Sequence, residues 1–122
     1  MTQTKFSQLI ETFNELIEEA GQVDRLIAAD LPGESVFVIK WGMISKLIAT
    51  GLTCQNESDA GNIMEMLTEE LPSTIRYATK HAQNGPNLNA EPTIEMLERM
   101  LSTARNSLGD EVYRSMVMDK RR

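Results

Sequence analysis

The sequence predicts an all-α protein, a compact bundle of about five to six short helices, on three observations. Aromatic residues make up only 5%, while eight methionines and many leucines and isoleucines supply the apolar bulk, a palette of helix formers. Apolar residues recur at three- and four-residue steps through most of the chain. One stretch alone, VFVIKW at 36–41, reads as a strand, and a lone strand leaves its backbone groups unpaired.

The first segment, from Thr4 to about Ala20, carries Phe6, Leu9, Ile10, Phe13, Leu16, Ile17 and Ala20 as one stripe. Glu11, Glu15 and Glu18 fall on the opposite side, with Glu19 beside them, as an acidic ridge. Gly21 is expected to end or bend this helix, with a further turn or two before the breaker LPGE at 31–34. After the apolar run at 36–52 comes the polar stretch TCQNESD, a loop near 53–58, with Ser58 as the expected N-cap of the next helix. That helix carries Ile63, Met64, Met66 and Leu67 and is expected to stop near Leu71. Pro72 suits a first helical position, so a new helix is expected over 73–82, with Ile75, Ala78 and Tyr77 inward. QNGPNLNAEP gives a second loop, near 83–91, combining Asn-Gly with two prolines and three asparagines. A helix from Pro92 places Ile94, Leu97, Leu101 and Ala104 on one face, with Met100 at its edge. A last short helix, DEVYRSMVM, precedes the basic C-terminal end at 119–122.

VFVIKWGMISKLIATGL, Val36 to Leu52, is the most apolar run. Its 17 residues contain Lys40 and Lys46, whereas a membrane span needs about 20 mostly uncharged residues. From Gly42 to Thr50 it is amphipathic, with Met43, Ile44, Leu47 and Ile48 on one face. Extended back to Val36, it is apolar nearly all round, which predicts a central bundle helix whose Lys40 snorkels outward or meets an acid. The alternative is an extended 36–40 followed by a helix. Phe37 and Trp41, if exposed, would form an aromatic anchor pair for a partner.

At 122 residues the chain is one domain's worth, read as a single helical domain, and its 25% charged residues are ordinary for a folded protein. The single cysteine, Cys54, precludes an intramolecular disulfide, and MTQTKFSQLIETFNELIEE lacks the regions of a signal peptide, so a cytoplasmic protein is expected. Net charge is −6 and unevenly placed: residues 1–72 hold 12 acids and 4 bases, residues 73–122 hold 6 acids and 8 bases.

No catalytic constellation emerges. One histidine and one cysteine, 27 positions apart, cannot make a zinc site, and Ala78 stands three before His81 where a di-iron bundle needs Glu. The glycines are scattered, with no phosphate-binding run. The stretch MLTEELPSTIRYATKHA can be written as a helix-turn-helix with Arg76 and Lys80 on its second helix, which gives a dimeric DNA-binding regulator as one alternative. The acidic balance, with pI near 4.8, opposes it, since phosphate binding needs concentrated positive charge.

The segment ELIEEAG at 15–21 resembles the first half of the Glu-x-x-Glu pattern of the MazG-type all-α nucleotide pyrophosphohydrolases, which bind magnesium. That resemblance implies a magnesium-dependent hydrolase using Glu15 and Glu18 as a second alternative. The family's second acidic pair, Glu-x-x-Asp, has no counterpart, since Phe37 stands three after Glu34.

The leading expectation is therefore a non-enzymatic acidic interaction protein (a regulator, adaptor or inhibitor) without metal or cofactor. Its partner would be a protein or nucleoprotein, with Glu11, Glu15, Glu18, Glu19, Phe37 and Trp41 as the contact residues. Homodimerisation through the run at 36–52 is a further expectation, two-fold dimers being the commonest soluble assembly.

Overall fold

The computed structural model describes residues 5–27, 36–83 and 90–108. They form four α-helices and no strand: α1 (Lys5–Ile27), α2 (Val36–Leu52), α3 (Glu57–Gln83) and α4 (Ala90–Leu108). The expected short helix DEVYRSMVM and the basic end at 119–122 lie outside the described residues.

The described residues hold four helices, whereas about five to six were expected over the whole chain, and two breaks expected within the described residues do not occur. α1 runs through Gly21 to Ile27. An interior glycine costs roughly 1 kcal/mol against alanine, and the continued helix buries Val23 completely. α3 is a single helix of 27 residues with Pro72 inside it. Proline removes one backbone hydrogen bond and crowds the preceding turn, at roughly 3 kcal/mol. The offsetting gain lies on the buried face on either side of it, where Ala60, Met64, Leu67, Leu71, Thr74 and Ala78 are all buried. Thr74 spends its hydroxyl locally, donating to the Glu70 carbonyl at 3.0 Å.

α2 is helical from Val36, so the extended alternative for 36–40 does not hold. Its last turn is tightened by amide donation from Thr53 to Thr50 and from Cys54 to Gly51. The turn that follows is short, and α3 is capped by Asn56 instead of the expected Ser58. The Asp59 amide donates to Asn56 Oδ1 at 2.8 Å, and Asn56 Nδ2 donates to the Asp59 carboxylate at 3.0 Å. This reciprocal pairing of an N-cap with the residue three later is a variant of the capping box.

α1 meets all three other helices and α3 does too, whereas α2 and α4 do not meet. The bundle is thus a rhombus in cross-section, with α1 and α3 across its short diagonal. The core between them holds Leu9, Phe13 and Leu16 from α1, Ile44 and Ile48 from α2, Met64, Leu67 and Leu71 from α3, and Leu97 and Met100 from α4, all fully buried. α2 therefore occupies a corner and not the centre that its all-round apolar character predicts.

Candidate functional site: the outer face of the first helix

Glu11, Glu15 and Glu18 follow one another at steps of four and three along α1 and are all exposed. The stripe Leu9, Phe13, Leu16, Ala20 and Val23 fixes the opposite face in the core, which turns these carboxylates to solvent. No basic residue lies between Lys5 and Arg25 in the sequence. A shallow groove runs beside it between α1 and α4, lined by Glu11 and Glu15 on one side and Thr103 and Asn106 on the other. At its end Lys5 Nζ donates to the Ser107 carbonyl at 2.7 Å, a cation on the C-terminal turn of α4.

Glu19 does not belong to this ridge. It is half-buried against α4, where the Thr103 hydroxyl lies 3.2 Å from Glu19 Oε1 and 3.0 Å from the Arg99 carbonyl. One hydroxyl proton serves only one of these acceptors at a time. The second oxygen, Glu19 Oε2, is buried without a hydrogen-bond partner. Burial pushes the Glu19 carboxyl above its ordinary range, and the charge of Glu15 adds to this; the Thr103 hydrogen bond and the nearby Arg99 act the other way.

Phe37 and Trp41, the expected aromatic anchors, are 3% and 4% exposed and lie in the core. They are not a surface pair in the folded chain. Trp41 also makes the polar contact that joins the first two helices, its indole N–H donating to Asp24 Oδ1 at 2.7 Å. Among the described residues Lys40 meets a ring and not the expected acid: its ammonium lies 5.2 Å from the centroid of the Tyr77 ring on α3, with Lys80 Nζ at 5.4 Å from the same ring.

Arg76 and Lys80 are both exposed on α3. The helix-turn-helix reading, however, loses its turn, because the backbone passes through Pro72 as uninterrupted helix. A recognition helix needs a first helix set at an angle to it, and 57–83 provides only one. For the hydrolase alternative, no group of three or more His, Cys, Asp and Glu that could hold a metal ion occurs among the described residues. Cys54 is half-buried and its Sγ donates to the Thr50 carbonyl at 3.5 Å. Burial, and then the charge of Asp59, push its thiol up, the opposite of what activates a nucleophile. No helix among the described residues is long and apolar enough to cross a membrane.

No family model, curated protein or solved structure matches this chain.

Proposed function

We propose that this protein is a non-enzymatic helical adaptor or regulator that docks a basic protein or nucleoprotein partner on the outer face of α1, in the cytoplasm. The observation that carries this reading is the run of exposed Glu11, Glu15 and Glu18, spaced by one turn and uninterrupted by any base. Three carboxylates at one-turn spacing present a common negative face, which suits a cationic partner. The groove beside them accepts the stem of an arginine or lysine, whose head then reaches Glu11 or Glu15. Glu19 supports the face from beneath, through Thr103, and is not a contact residue in this reading.

Affinity capture from the source cell, followed by a salt titration of the captured partner, tests it. Binding through such a face falls steeply between 50 and 500 mM salt, given a Debye length of about 10 Å at 0.1 M. Joint replacement Glu11→Lys, Glu15→Lys and Glu18→Lys is expected to abolish capture while leaving thermal unfolding nearly unchanged. Capture that survives both salt and charge reversal rejects the reading.

A further inference from the structure

Five large apolar side chains are exposed among the described residues, and three of them belong to α2: Val36 at 49%, Ile39 at 59% and Met43 at 46%. Steps of three and four place them in one stripe along a helix that the bundle leaves at a corner. The other two stand apart from it. Ile17 lies two turns before Asp24, the residue of α1 that binds Trp41, so Ile17 is on the α2 side of α1. Met66 lies three turns before Tyr77, the residue of α3 that meets Lys40, so Met66 is on the α2 side of α3. Ile39 and Met43 are each two residues, about 200° of rotation, from Trp41, so they face away from α1, and Met66 lies three turns from the Lys40–Tyr77 contact; the exposed apolar stripe is that of α2 itself, and such stripes mark interaction sites.

We infer that this face is a second docking surface, and that its occupant is an acidic amphipathic helix of another protein. Charge selects that occupant. α2 carries Lys40 and Lys46 and no acidic residue. Two copies paired through α2 would bring four lysines together with no carboxylate from either α2 between them, a like-charge arrangement that costs affinity. α1 of a second copy is acidic, but its apolar stripe is already in its own core. An anionic lipid surface presents its field to the whole chain, whose net charge is −6, whereas a docked helix meets only the two lysines beside the stripe. A helix with one apolar stripe and glutamates along its edges satisfies both features, with its stripe on Ile39 and Met43 and its acids beside Lys40 and Lys46. The flexible Met43 side chain suits such a contact.

Fluorescence anisotropy with the full chain tests this directly. The probe is a labelled synthetic peptide of about 18 residues, five helical turns, with leucines on one stripe and glutamates flanking it. The control peptide has glutamine at every glutamate position. The expected result is saturable binding of the acidic peptide, weakened about tenfold or more in the glutamine control and by Ile39→Asp or Met43→Asp in the protein. Both substitutions are at exposed sites, and unchanged thermal unfolding verifies the fold of each variant. Binding retained by the Glu11→Lys, Glu15→Lys, Glu18→Lys variant separates this surface from the α1 face. Equal binding of the two peptides, or none, overturns the proposal. So does a light-scattering mass of two chains that Met43→Asp returns to one, or sedimentation of the protein with phosphatidylserine vesicles.

Discussion

The ring of Phe13 on α1 occupies the space that a β-carbon at Gly51 on α2 would need. Both residues are buried, Phe13 completely, so the two helices approach closely only because position 51 has no side chain. Gly51→Ala is therefore expected to destabilise the protein by about 1–3 kcal/mol, the usual cost of overpacking, despite alanine's better helix propensity. At Gly42, one helix face away, an added β-carbon meets nothing within 4 Å. Gly42→Ala should stabilise by about 0.4–1 kcal/mol. Urea midpoints that move in opposite directions for the two substitutions are the expected outcome.

Trp41 is the only tryptophan, and its N–H donates to Asp24 across α1 and α2. Trp41→Phe keeps most of the buried ring but removes the donor. Asp24 is exposed and regains water when the bond is lost, so the coupling in a Trp41→Phe and Asp24→Ala double-mutant cycle should be about 1 kcal/mol, not the larger figure of a fully buried charge. A coupling near zero would remove this contact from the account of helix pairing.

Glu19 makes stability depend on pH. Its carboxyl is raised by burial, so the folded state holds the proton more tightly than the unfolded chain. The stabilisation this confers is complete below the ordinary carboxylate range and is lost as pH rises through the raised value. Glu19→Gln removes the dependence while keeping an acceptor for Thr103. The variant should unfold at nearly the wild-type temperature near pH 4 and at a higher temperature than the wild type at pH 7. A difference that stayed constant across that range would contradict it.

Pro72 sits within α3, with Leu71 fully buried on one side and Thr74 nearly so on the other. Pro72→Ala restores an amide worth roughly 3 kcal/mol of helix propensity, against a loss of about 1 kcal/mol from a freer unfolded chain. Net stabilisation of about 2 kcal/mol is expected, read from chemical denaturation, with little change in helical circular dichroism.

The cap of α3 offers a smaller effect. Asn56→Ala should cost about 1 kcal/mol through the loss of the Asp59 amide's acceptor, whereas Ser58→Ala should change stability by a few tenths at most. Reversal of that order would restore Ser58 as the cap.

What could be read from the sequence was what one helix decides alone. Leu9, Phe13, Leu16 and Ala20 were legible because α1 has one apolar face and one charged face, although Ile17, read into the same stripe, is exposed, and Leu97, Leu101 and Ala104 were legible on α4 for the same reason. α2 is apolar nearly all round, so periodicity could not say which side would be covered. The expectation of a central helix failed because only packing assigns it a corner. Pro72 follows a local rule that long-range burial overrides. Glu19 adjoins Glu18 in sequence, yet one residue is about 100° of rotation, enough to turn it onto α4. Its place midway between Leu16 and Val23 was the signal available. Asn56 was legible too, since an aspartate stands three residues after it. Lys40 and Tyr77 lie 37 positions apart, and no short-range pattern connects them.

The contact between Lys5 Nζ and the Ser107 carbonyl, 2.7 Å long, brings the first and last turns of the described bundle side by side. The order of the helices in the chain is therefore not dictated by their order in space. A chain joined from residue 108 back to residue 5 by a short linker, and opened instead at the exposed turn around Gln55, would keep every helix beside its present neighbours. Such a circular permutant should assemble the same four-helix body, since openings at exposed turns and joins between adjacent ends are the ones that folds tolerate.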